Sequence, residues 1–279
     1  MISEIRGTID YTESGEGPTV VFVPGSCSTG AVWKPVLSHI GGRFRCVTTS
    51  LLGYGGTTER RSPGNAGIVY EAEILESVVC QTGQPVHLVG HSFGALTAIA
   101  VALRRQVSVL SLTLIEPPAA QLLWHMGEHE HYRAFRQMTD AYFADARNGR
   151  TDAIERMIDF YGGAGSFAGW PQRVRDYAMQ TTKSNLLDWE AAYEFELTPI
   201  ALGNIDLPTL VVCGALSHPA MQRGHELLVH YMPNASGMSI DGAAHFMIST
   251  HPRALAGLIA GHVDVNDAAV VVRPERRVG

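Results

Sequence analysis

The stretch Val86-His87-Leu88-Val89-Gly90-His91-Ser92-Phe93-Gly94-Ala95-Leu96 leaves few folds open. An apolar, β-branched run ends at Gly90, and a small, apolar run from Ala95 to Leu103 ends in Arg104 and Arg105. That order predicts a strand, a tight turn and a helix. The turn reads Gly90-x-Ser92-x-Gly94, the pattern of a nucleophile elbow. So sharp a turn forces Ser92 into a strained backbone conformation. Side chains two residues to either side would collide, so both positions take glycine. The Ser92 hydroxyl then stands above the sheet at a helix N-terminus, where free N–H groups favour a developing anion. The blander alternative is a glycine-rich loop between a strand and a helix.

The 279 residues are 46% hydrophobic and 17% charged, which suits one α/β unit with an inserted lobe. A net charge of -6 gives no broad attraction to nucleic acid or anionic lipid. Cys27, Cys46, Cys80 and Cys213 form no Cys-x-x-Cys pair and read as free thiols, so the expected setting is cytoplasmic. The N-terminus lacks the build of a signal peptide, and no apolar run is long enough to cross a bilayer. The expected partner is a small-molecule substrate, with a homodimer left open and neither nucleic acid nor membrane involved. Val265 to Gly279 is polar and basic apart from Val270-Val271-Val272 and reads as a tail with room for disorder.

Along the chain, residues 2–11 alternate loosely and Glu13-Ser14-Gly15-Glu16-Gly17-Pro18 reads as a turn, which suggests an opening hairpin, and Thr19–Val23 reads as a buried parallel strand. Further strands are expected at Arg45–Thr49, Val86–Val89, Val107–Ile115, Leu210–Cys213 and Gly237–Ile240. Helices are expected at Trp33–Ile40, Val69–Cys80, Met221–Tyr231 and after Pro252. From Gln121 to Leu202 helical periods alone appear: Glu130–Ala146, Asp152–Tyr161, Gln172–Thr182 and Leu186–Phe195. The fold class is therefore α/β, a mostly parallel doubly wound sheet with helices on both faces. Residues 1–119 and 203–265 form the expected core, 120–202 a helical cap, and 266–279 the tail. Ligands in such sheets bind beyond the strand carboxyl ends, where the loops after Val23, Gly90, Ile115, Cys213 and Ile240 should meet.

The chain resembles the α/β-hydrolase superfamily, in the form that carries a helical cap. The matching residues are Val23-Pro24-Gly25, Gly53-Tyr54-Gly55-Gly56-Thr57, Gly90-His91-Ser92-Phe93-Gly94 and Gly242-Ala243-Ala244-His245-Phe246. Pro24 stands where the family usually has histidine. The resemblance implies Ser92 as nucleophile, His245 as its base, and the Ser26 and Phe93 amides as the oxyanion hole. A serine needs such a base, and the base a carboxylate to hold it. The loop that usually supplies an aspartate reads Gly214-Ala215-Leu216-Ser217-His218, without one. A minority of the superfamily takes the acid from the end of the strand after the nucleophile helix, and Glu116 stands there. Alternatives are a solvated Glu116, Asp241 as the acid, or no acid, with Ser217 or water instead.

His91 is expected to point away from the site, and His39, His225, His230, His251 and His262 to be solvated. His125, His129 and His131 read as a solvated helix start because a metal would need a further ligand. No metal and no cofactor is implied. Cys27, Trp124 and Phe246 are candidate substrate contacts. The expected function is a cofactor-independent serine hydrolase, esterase- or lactonase-like, acting on a small apolar acyl substrate. Carbon–carbon bond hydrolysis or a lyase reaction by the same Ser/His pair is one alternative. A non-catalytic ligand-binding protein is another. Dehalogenase or epoxide hydrolase chemistry would, by the resemblance, require aspartate at Ser92.

Overall fold

The computed structural model describes residues 1–4, 7–83 and 85–271. Strands β1 (Ile2–Glu4) and β2 (Gly7–Ile9) pair antiparallel as a small sheet of their own. The alternating stretch thus holds two strands paired with each other, with Ile5 and Arg6 outside the described residues, whereas the turn expected at residues 13–18 lies between two strands of the main sheet that do not pair, so the hairpin does not form around it. The main sheet holds β3 (Thr12–Ser14), β4 (Thr19–Val23), β5 (Arg45–Thr48), β6 (Val86–His91), β7 (Val109–Ile115), β8 (Thr209–Gly214) and β9 (Ala235–Ile240). Its order is β3-β5-β4-β6-β7-β8-β9, parallel throughout except for β3, which pairs antiparallel with β5.

The apolar runs are continuous because both faces of the sheet are covered. Along β4, Val21 and Val23 join one hydrophobic cluster, and Val20 and Phe22 join the other. The first cluster is covered by α2 (Val69–Thr82), α3 (Phe93–Arg104) and the long inserted segment. The second lies under α1 (Lys34–Ile40) and the C-terminal helix. The chain winds outward from β4 to β5, then returns to place β6 on the other side of β4. Winding reverses between β4 and β6, which opens a crevice beyond their carboxyl ends. Ser26 and Ser92 both sit at that crevice.

Between β7 and β8 the described residues form helices only. These are α4 (Ala120–His125), α5 (His129–Arg147), α6 (Glu155–Gly162), α7 (Ser166–Gly169), α8 (Gln172–Gln180), α9 (Thr182–Glu194) and α10 (Pro199–Gly203). After β8 come α11 (Pro219–Tyr231), α12 (Met247–Thr250) and α13 (Pro252–Val271). Helix α13 runs on through the start of the segment read as a tail, because apolar residues recur along it to Val263 and no Gly–Pro break follows. The remainder of that tail, 272–279, lies outside the described residues. All four cysteines are free, and only Cys80 is exposed. Among the described residues no helix is long and apolar enough to cross a membrane.

Candidate active site

Ser92 sits between β6 and α3 with φ 53° and ψ −125°, the strain its flanking glycines anticipate. A Cβ on Gly90 would come within 2.5 Å of the Gly94 carbonyl oxygen, and one on Gly94 within 2.2 Å of the Pro24 carbonyl oxygen. Non-glycine residues with positive φ among the described ones are Cys27, Ser92, Arg105 and Glu116. Three of these surround one crevice, which is where backbone strain tends to be stored.

Glu116 follows β7 and is 2% exposed. Its Oε2 lies 2.7 Å from His245 Nδ1, and His245 Nε2 lies 3.0 Å from Ser92 Oγ. Its Oε1 accepts the Gly214 N–H at 2.8 Å and the Ser217 hydroxyl. Burial alone would raise the Glu116 carboxyl, but hydrogen bonds from His245, Gly214 and Ser217 outweigh it and hold it below its usual value. An ionised carboxylate only accepts, so His245 carries its proton on Nδ1 and offers Nε2 as an acceptor to Ser92. Ser217 is thus a donor to Glu116, not a stand-in for it, and Asp241 is exposed.

Two backbone donors flank Ser92. Phe93 opens α3, so its N–H has no partner within the helix. The Ser26 N–H meets no backbone acceptor among the described residues. Gly25 lets the loop press on the elbow, since a Cβ there would stand 2.9 Å from Ser92 Cβ.

A cavity of about 460 Å³ opens over Ser92. The insert supplies Met157, Ile158, Tyr161, Trp170 and Trp189 to its wall, and the core supplies Cys27 and Phe246. Burial, with the charge of Asp188 nearby, pushes the Cys27 thiol up to about 12, so it stays protonated at neutral pH. No arginine or lysine among the described residues lines the cavity.

The sequence profile of the alpha/beta hydrolase family matches residues 20–258. The chain belongs to that family. The pimeloyl-(acyl-carrier protein) methyl ester esterase of Aeromonas hydrophila is 26% identical over 265 residues, 90% of this chain and 98% of the relative. A haloalkane dehalogenase of Mesorhizobium japonicum is 30% identical over 118 residues, 40% of this chain, and the match spans only 36% of that relative's length. The crystal structure of the enol-lactonase from Burkholderia xenovorans LB400 superposes with a TM-score of 0.73 at 18% identity, covering 92% of this chain and 96% of that one.

Within this alpha/beta hydrolase chain some expectations need correction. Trp124 does not line the cavity. It is 50% exposed and packs on His129 and Tyr132, because α4 turns Ala120, Leu122 and Leu123 inward instead. His91 does not point away from the site. Strand alternation puts it on the face of Val89, where the loop after β9 crosses. There its Nε2–H donates to the His245 carbonyl at 2.9 Å, and burial, with His245 nearby, lowers the ring to about 3 and keeps it neutral. His225 and His262 are half-buried instead of solvated, and burial lowers both.

Sequence reasoning missed two side chains. Tyr161 of α6 stacks on the His245 ring, centroids 4.0 Å apart and planes 16° apart. Asp188 of α9 lines the cavity and is buried. Its signal was an acid sharing a helical face with Asn185, Trp189 and Ala192, all buried.

Proposed function

We propose that this chain is a cofactor-independent serine hydrolase acting through an acyl-enzyme on a small, uncharged, fairly apolar ester, thioester or lactone. The observation that supports it most is the unbroken relay Glu116–His245–Ser92. Ser92 Oγ attacks the acyl carbon while His245 Nε2 takes the hydroxyl proton. Glu116 holds the ring on the correct tautomer and faces the imidazolium that forms. The Ser26 and Phe93 amides receive the oxyanion. His245 returns the proton to the leaving oxygen or sulfur, whose bond to the acyl carbon breaks. Water then repeats the sequence and releases the acid. The cavity wall favours apolar acyl groups, and its lack of a cationic side chain disfavours a substrate carboxylate. Free thiols fit a cytoplasmic setting.

The test is labelling by a fluorophosphonate together with hydrolysis of short-chain p-nitrophenyl esters. Label on Ser92 and loss of both label and turnover in Ser92→Ala are expected. An unlabelled Ser92 in folded protein overturns the proposal. Labelling without turnover of any ester would turn attention to carbon–carbon bond cleavage by the same pair.

A further inference from the structure

The Ser26 amide is one of the two proposed oxyanion donors, so what fixes its peptide matters for the reaction. The loop holding it is strained. Cys27 has φ 58°, a left-handed conformation that side chains disfavour. Within the loop, the Ser28 hydroxyl donates to the Gly25 carbonyl at 2.7 Å. An anchor from the insert holds Ser26 itself: Ser26 Oγ donates to Asp188 Oδ2 at 2.5 Å.

Asp188 is itself held firmly. It is 2% exposed, and the Tyr54 hydroxyl donates to the same oxygen at 2.6 Å. Arg61 Nη1 donates to Oδ1 at 2.8 Å. Arg61 is fully buried at its side chain and is fixed by Glu59, by Glu71 and by the Leu52 carbonyl. Each Asp188 oxygen is therefore engaged by a core donor, and Oδ2 by the Ser26 hydroxyl as well. Both members of the bond face the cavity.

We propose that Asp188 is a positioning residue: through the Ser26 hydroxyl, the insert helix α9 sets the oxyanion hole of the core. The inference rests on the hydrolase reading above. In this arrangement the oxyanion hole is complete only when α9 is seated, although neither backbone donor belongs to the insert. It also gives the Ser26 hydroxyl a defined role. Its proton is spent on Asp188, so the amide alone serves the oxyanion.

The experiment combines kinetics of Ser26→Ala, Asp188→Asn and the double variant with hydrogen exchange of the free proteins over residues 19–30. Removing one oxyanion donor costs about 10²–10³ in rate, so loosening one should lower kcat by roughly 10–100-fold. KM should stay within about threefold, because the ground-state carbonyl uses this donor less. Ser26→Thr, which keeps the hydroxyl, should recover most of kcat. The double variant should be no worse than the poorer single one, the mark of two residues acting through one bond. Exchange over 19–30 should rise in either single variant. Additive losses, or unchanged kcat in Ser26→Ala, would overturn the inference while leaving the role of Ser92 intact. Unchanged exchange in Ser26→Ala would overturn it even if the wild type hydrolyses nothing, an outcome that separately removes the hydrolase reading. Should Asp188→Asn fail to fold, Ser26→Ala and Ser26→Thr decide alone.

Discussion

At Glu116 one carboxylate is shared between two tasks. Oε2 meets His245, while Oε1 is tied to the Gly214 amide and the Ser217 hydroxyl. The second set fixes the carboxylate so that the first can fix the ring. Glu116→Gln keeps the shape but offers His245 the wrong partner, and an amide there is expected to cost about 10⁴ in kcat. Ser217→Ala leaves the Gly214 bond in place, so a loss of roughly tenfold is expected, in line with one neutral donor removed. Rates of the two variants on one ester, with the melting temperature as a check on folding, measure both. Glu116 was legible because the chain has a serine where relatives of its superfamily usually have the acid. Ser217 looked like a gap in the site for the same reason. Its role as donor could not be read, because the contact spans 101 residues and depends on how two strand ends converge.

At the scale of elements, strand–helix alternation anticipates the six parallel strands and their coverings to within a few residues, but not the antiparallel edge strand β3, whose three exposed residues Thr12–Ser14 carry no apolar run. Long apolar runs are what burial on both faces demands. The insert's longer helices were legible from their period, but α4, α7 and α10 were not, since four to six residues hold too few turns to show one. That failure also explains Trp124, whose direction depends on how the short α4 is turned. The elbow, by contrast, is fully specified by its glycines. Gly94→Ala would drive a methyl into the Pro24 and Val23 carbonyl oxygens, both backbone, so β4 and α3 would have to separate. A stability loss of about 1–3 kcal/mol is expected from such overpacking. Activity should fall further, because the same loop bears the Ser26 amide. Gly257 and Gly261 on α13 are the contrasting case, exposed and with nothing within 4 Å of an added Cβ. Alanine at each should stabilise by about 0.5–1 kcal/mol through helix propensity. Thermal unfolding of the three single variants compares the two situations.

For the whole molecule, the insert and core are joined by buried charge around Arg61. Its partners Glu71, from α2, and Asp188, from α9, have side chains 0% and 2% exposed. No pattern in the sequence pairs Arg61 with a residue 127 positions away, so this junction was invisible until the chain was folded. Burial raises both carboxyls, and Arg61 opposes it. Asp188 takes donors from Ser26, Tyr54 and Arg61, while Glu71 has the Leu52 amide and Arg61. The better-solvated charge is therefore Asp188, and the proton stays on Glu71, which burial and then the neighbouring carboxylates push up to about 8 against the opposition of Arg61. Unfolded, Glu71 would titrate near the ordinary 4.5. Between these values the folded state binds more protons than the unfolded state, so stability falls as pH rises. Across pH 7 to 9 the loss from this one group should be on the order of 1 kcal/mol. His91, His87, His225 and His262 are lowered by burial and have their opposite effect below that window. Glu71→Gln keeps a neutral group of the same size and removes the titration. Urea unfolding of both proteins at pH 7 and pH 9 is the measurement. The wild type should lose stability between the two and the variant should not; equal losses would mean that Glu71 is already ionised at neutral pH and that Arg61 alone neutralises the junction.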